Sequence, residues 1–262
     1  MGPSSLAILA VVPGLFWLWV FHRRDRWEKE PVGRVLGLFG LGFLISVPVY
    51  FVEGMLPGPR SDYFDAFVRI ALIEEFFKSL PIVFCVYRSR AFNEPMDGIV
   101  YGVAVGLGFA TAENVLYTLA FGPPLLFARA FTSTLMHAAL TGLLGYAFAR
   151  RKFNGTSRIR VKGLFLAVVA FHGAYDLLLG WSADPATPAL FGRGAILLTI
   201  PFLLGVLHCA ANRACAQSPF RADQCVTVTP RRRGRESHQD SGNTVSDTTS
   251  IQNPTASSET PR

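Results

Sequence analysis

Long apolar runs dominate this chain and restrict it to very few architectures. They cover approximately residues 5–21, 34–52, 64–87, 98–121, 124–149, 162–180 and 189–211. A helix of about 20 apolar residues crosses a hydrocarbon core of roughly 30 Å. Inside such a core every backbone N–H and C=O must be paired within the protein, so only helices or closed barrels cross it. The runs are rich in Leu, Ala, Phe and Gly and lack short alternating segments, which argues against barrel strands. We therefore predict an all-α, polytopic transmembrane helix bundle of about seven spans. Only 16% of the 262 residues are charged, against about 25% in soluble domains, which supports the same class.

Lysine and arginine alternate between the connections. The segment after the first run holds Arg23, Arg24, Arg26, Lys29 and Arg34, and the next holds only Arg60. Arg88 and Arg90 follow the third run, and the "GPP" turn after the fourth has neither residue type. Six basic residues follow the fifth run (Arg150, Arg151, Lys152, Arg158, Arg160 and Lys162), and Arg193 follows the sixth. The C-terminal segment carries Arg213, Arg221 and the "RRRGR" cluster. The positive-inside rule then predicts an N-terminus outside and a cytoplasmic C-terminus. The first run has no basic residues before it and "HRRDR" after it, so it reads as a retained anchor rather than a cleaved signal. Residues 1–216 are expected to form the membrane domain. Residues 217–262 are polar and rich in Ser and Thr, and read as a disordered cytoplasmic tail. The four cysteines (Cys85, Cys209, Cys215 and Cys225) have no paired spacing and suggest neither a disulfide framework nor a cysteine zinc site.

Against this background, "RIALIEEFFKSLPIVF" (residues 69–84) is costly. An ionised carboxylate near the bilayer centre costs about 2.5 kcal/mol or more, and Glu74 and Glu75 are adjacent. The fourth run adds Glu113 and Asn114, the fifth Arg129 and His137, the sixth His172 and Asp176. At 1.5 Å per residue Glu74 lies roughly 16 Å from the outer end of its run, Glu113 and His172 roughly 12 Å and His137 roughly 20 Å. Four helices thus bring acids and imidazoles into one layer, within spans three to six (residues 64–180). Glu74 and Lys78 are four apart and share a face. Glu75 is turned about 100° away, toward a neighbouring helix. His172 and Asp176 are also four apart, so the carboxylate is expected to hold the ring in one tautomer. Gly102 and Gly106 stand on the stripe that leads to Glu113 and should admit a neighbouring backbone. Arg69 is expected to pair with Asp65, Arg129 to snorkel outward, and Tyr117, Trp181 and His208 to sit at the interfaces.

The motif set "EEFFK" (Glu74, Glu75, Lys78), "FATAEN" (Phe109, Glu113), His137 and "HGAYD" (His172, Asp176) resembles that of the PrsW family of intramembrane proteases. That family is similar to the clan of CAAX-prenyl endopeptidases and bacteriocin-processing membrane proteases. The resemblance implies hydrolysis of a peptide bond in a membrane-anchored protein substrate, such as an anti-sigma factor, by a multi-pass protein of the bacterial cytoplasmic membrane. It implies no nucleic-acid partner. Such hydrolysis needs an activated water, a stabilised oxyanion and a proton for the leaving amine. Glu74 is expected to be the general base and Glu75 to anchor Lys78 or another group. Glu113 would orient the water or share a proton with Glu74. His172, held by Asp176, would be the oxyanion donor or general acid, with His137 as the second candidate. No cofactor is favoured. Zinc is the alternative, on Glu113, His137, His172 and Asp176, although the H-E-x-x-H helix of zincins is absent. A proton- or ion-coupled transporter would also place such residues in the membrane.

The predicted topology is open to a direct check. A reporter active only outside should be active when fused after Arg60 and silent after Arg151; the opposite pattern would refute the orientation.

Overall fold

The computed structural model describes residues 2–25, 28–56, 61–183 and 189–220, with the backbone alone for 182–183 and 189–193. Arg26, Arg60, Arg221, Cys225 and the "RRRGR" cluster lie outside the described residues, as do the rest of the predicted tail beyond Phe220 and the side chain of Arg193. Every regular element among the described residues is helical, in the order α1 (Pro3–His22), α2 (Val32–Met55), α3 (Asp62–Phe64), π1 (Asp65–Leu72), α4 (Ile73–Pro81), π2 (Ile82–Val86), α5 (Pro95–Phe121), α6 (Pro123–Phe131), α7 (Ser133–Asn154), α8 (Arg158–Ala183) and α9 (Ala189–Ala216). Among the described residues, five helices are long and apolar enough to cross a membrane: α1, α2, α5, α8 and α9.

The third and fifth predicted spans depart from simple apolar rods. Residues 62–86 form one continuous rod, but α4, which carries Glu74, Glu75 and Lys78, lies between two wider π-helical stretches. Such widened turns occur frequently at functional sites. The predicted span 124–149 is not one helix. Thr132, at φ −118° and ψ −87°, breaks it into α6 and α7, and α7 continues to Asn154. The helix ends carry legible signals. Pro95 opens α5, and the Asp97 carboxylate accepts the backbone N–H groups of Asn93 and Glu94, each at 2.8 Å. Gly122 (φ +85°) ends α5, and Gly155 (φ +63°) ends α7 in a left-handed turn.

α5 is the central helix, buried without interruption from Pro95 to Asn114. Glycines let its neighbours come close. A Cβ added at Gly98, Gly102 or Gly106 would run into the α7 backbone at Gly145, Thr141 or His137. On the other side, a Cβ at Gly42 of α2 would strike the Val105 carbonyl, and one at Gly108 the Phe39 carbonyl. Packing between membrane helices relies on such close approach, because lipid supplies little hydrophobic drive. The expectation for Gly102 and Gly106 therefore holds, and α7 is the helix they admit.

At the end where α1 stops and α5 starts, two connections are tied together. Asn93 donates its side-chain amide to Glu28 at 2.7 Å. Lys152 of α7 donates to the carbonyls of Tyr87 (2.8 Å) and Phe92 (2.6 Å). Asp25 is buried there and accepts the Glu30 N–H at 3.0 Å; burial pushes its carboxyl up to about 7.

Gly102→Leu should be costly, because the added side chain meets a helix backbone rather than a movable side chain. A loss of about 1–3 kcal/mol, the usual range for overpacking, is expected in thermal unfolding in detergent. Gly37→Leu, where an added Cβ has open space, should unfold like the parent.

Candidate active site

The site is a chain of ion pairs and hydrogen bonds that joins α4, α5, α6, α7 and α8. At its centre is Lys78 of α4, with a fully buried side chain. Its ammonium group lies 2.8 Å from Glu74 Oε2, 3.0 Å from Glu75 Oε1 and 2.8 Å from His137 Nδ1. An ammonium has three donors and no acceptor, so these three bonds satisfy it completely. The Phe109 ring adds a cation–π contact, with Nζ 4.1 Å from its centroid. The predicted Glu74–Lys78 pair is therefore present, but Glu75 shares the same lysine. At 100° per residue Glu75 also reaches the next helix, as expected.

The tautomer of His137 follows from its partners. Nδ1 faces an ammonium and must accept, so the proton sits on Nε2, which donates to Glu113 Oε2 at 2.7 Å. Glu113 is held on its other side by Arg129, at 3.1 Å. Arg129 also donates to Asn114 Oδ1 at 2.9 Å and stacks 4.2 Å from the centre of the Tyr117 ring. Asn114 in turn donates to Thr134 at 3.0 Å, across the break between α6 and α7. Arg129 does not snorkel outward. The helix break directs α6 back over α5, where two acceptors replace water for the guanidinium. Tyr117 accordingly serves as a stacking face for Arg129 as well as lying at the surface. Arg69 behaves as expected, with two bonds to Asp65 at 2.8 and 3.1 Å.

His172 of α8 completes the array from the far side. Its Nδ1 lies 2.9 Å from Glu75 Oε1, so Glu75 holds the ring and places a proton on Nδ1. This corrects the expectation that Asp176 does so. The Asp176 carboxylate lies 3.5 Å from Nε2, beyond hydrogen-bond contact, and Glu74 lies 3.7 Å from the same atom. A helical i,i+4 spacing brings His172 and Asp176 to one face, but the nearer acceptor comes from α4. His172 Nε2 thus faces the gap between Glu74 and Asp176. The two imidazoles meet edge to face, 5.1 Å apart.

Burial grades across the site. The Lys78 and Glu75 side chains are fully buried, whereas Glu113 is 11% and Asp176 23% exposed. Access is therefore on the Glu113–Asp176 side. At the extended end of α2, Glu53 and Tyr50 each carry a buried side-chain oxygen. The sequence reading ended this helix at residue 52 and missed Glu53. A Tyr and a Glu three apart at a helix end were the only available signal.

Four donors could hold a metal together: Glu74, Glu75, His137 and His172, all buried, with ligand atoms within 4.8 Å of one another. This differs from the set expected from the sequence. The two histidines remain, but Glu113 is engaged by Arg129 and His137 Nε2, and Asp176 stands apart from the group. Carboxylate and imidazole donors suit zinc chemically. Lys78, however, already stands among them and contacts three of the four.

Comparisons with known proteins identify the family. A family profile described as "PrsW family intramembrane metalloprotease" matches residues 30–206. Protease PrsW of Geobacillus kaustophilus is 39% identical over 182 residues, covering 67% of this chain and 80% of that protein. Protease PrsW of Bacillus subtilis is 34% identical over 175 residues, 64% of this chain and 80% of its own length. Protease PrsW of Clostridioides difficile is 31% identical over 187 residues, with 66% and 77% covered. No solved structure matches the chain. With a family model over most of its length and these relatives, the chain belongs to the PrsW family of intramembrane proteases.

Proposed function

We propose that this chain is an endopeptidase of the bacterial cytoplasmic membrane in which Glu74 activates water to hydrolyse a peptide bond of a membrane-anchored protein. In this reading the chain has seven spans and an outer N-terminus, and the reaction lies near the outer half of the bilayer. The family resemblance makes a membrane-bound anti-sigma factor the first substrate to test. The observation that carries the mechanism is the unequal engagement of the two adjacent acids. Glu75 is bound by both Lys78 and His172 at 3.0 Å or less, whereas Glu74 has only Lys78 at that range. Glu74 is thus the freer acid, and it lies beside the more accessible flank.

In this reading Glu74 takes a proton from water as the water attacks the scissile carbonyl. His172 acts as the imidazolium: Glu75 holds Nδ1–H, and Nε2–H, which lies between the Glu74 and Asp176 carboxylates, is offered to the oxyanion and then transferred to the leaving amine, leaving the ring neutral. Both nitrogens of His137 are committed, so it links Lys78 to Glu113 and does not act as an acid. Lys78 keeps two carboxylates together that would otherwise repel. Asp176 lines the approach to His172 Nε2.

The zinc-dependent reading rests on the four clustered donors. Glu74, Glu75, His137 and His172 would hold the ion, and zinc would supply a Lewis acid and an acidified water. It would have to displace the Lys78 ammonium, which favours the metal-independent reading. With purified protein and a single-span substrate, Glu74→Gln should reduce cleavage by about 10²–10⁴-fold, the range for loss of a general base. A zinc chelator should leave the parent unchanged; activity lost to the chelator and restored by zinc would reverse the choice.

Arg129→Met should leave Glu113 buried with His137 alone. Breaking a buried pair from one side costs about 3–5 kcal/mol, and the lower end is expected here because both side chains are slightly exposed. Unfolding in detergent measures this, and Arg129→Lys should recover part of the loss.

A further inference from the structure

A cavity lies away from the proteolytic array. It occupies about 410 Å³ between α1, α5 and α9, within the range of small-molecule pockets of about 300–1,000 Å³. Trp17 and Phe21 of α1, Val100 and Val103 of α5, and Leu204 and Leu207 of α9 form its apolar wall. The Trp17 indole N–H is already satisfied by the Ala130 carbonyl at 2.8 Å, so only its ring serves the cleft. From Trp17 to Arg24 the cleft follows the last turns of α1 and the turn beyond it, roughly 10 Å.

Polarity is confined to one end. There Arg24 and His208 also line the cleft, with Arg24 Nη1 3.4 Å from His208 Nδ1. Asn212 lies 3.0 Å from His208 Nε2. Among the described residues, neither Arg24 nor His208 has a carboxylate within ion-pair distance. This end is where α1 and α9 finish and α5 begins, so it lies at the headgroup level of a spanning bundle. A hydrophobic slot parallel to the helices, with cationic and hydrogen-bonding groups only at its headgroup end, has the polarity of a lipid. Basic pockets between membrane helices on the cytoplasmic side bind anionic headgroups in this way. Gly205 also lines the slot, and a Cβ added there would meet nothing within 4 Å. The space is open on that side and can be filled without moving the backbone.

We propose that this cleft holds an acyl chain of an anionic glycerophospholipid whose phosphate rests on Arg24 and His208. The site is independent of the proteolytic reading. Delipidated full-length protein would be titrated with phosphatidylglycerol, or with diacylglycerol of the same chains, and bound lipid counted by native mass spectrometry. The parent should prefer phosphatidylglycerol by roughly fivefold or more, the worth of one basic group at a membrane surface. Arg24→Gln with His208→Ala should abolish that preference while leaving diacylglycerol binding intact. Gly205→Leu should weaken both lipids without changing the helical content of the protein. Equal retention of the two lipids by the parent would overturn the proposal. So would lipid binding unchanged in Gly205→Leu, or a dimer mass in the parent that this substitution removes, which would make a second copy of the chain the occupant.

Discussion

The buried Lys78 ammonium is the interaction on which the site depends. Two carboxylates and an imidazole converge on one nitrogen, each within 3.0 Å, and the Phe109 ring covers it. Without that charge, Glu74 and Glu75 would be like charges placed side by side in a low-dielectric layer. With it, each neighbour acquires a defined role. His137 is confined to one tautomer and transmits the connection to Glu113 and Arg129. Glu75 shares one oxygen, Oε1, between Lys78 and His172. The same ammonium stands among the four clustered donors and contacts three of them.

This array requires α7 to lie very close to α5, since His137 must reach Glu113 from one side and Lys78 from the other. The glycines at 98, 102 and 106 allow it, each facing backbone of α7. The break at Thr132 has a complementary effect. It frees α6 from the line of α7, so that Arg129 approaches Glu113 from above, and the Asn114–Thr134 hydrogen bond spans the discontinuity. Helix proximity and helix breakage together create the acid-binding end of the network. Membership of a protease family sets aside the transporter, the other function for which intramembrane acids and histidines are suited.

Several features were legible in the sequence because they are local. The apolar runs marked out the helical rods, and the "GPP" turn marked the end of α5. Four-residue spacing paired Glu74 with Lys78 and Asp65 with Arg69. The same rule was insufficient for His172 and Asp176, where the shared face exists but Glu75 lies nearer. Arg129 was misjudged because a long apolar run gave no sign of the break at Thr132. Glu53 was missed because it lies in the last turn of α2.

The sequence by itself determined the helical class, five of the membrane-length segments and the helices that carry the acids and histidines, because helix rise and rotation are properties of the local backbone. The tertiary structure decided which acid holds which imidazole, which donors cluster, and that Arg129 faces inward. Those relations join residues 16 to 97 positions apart. They depend on how closely two helices approach and at what rotation, and that is set by side-chain volume at every crossing rather than by the spacing within any one helix.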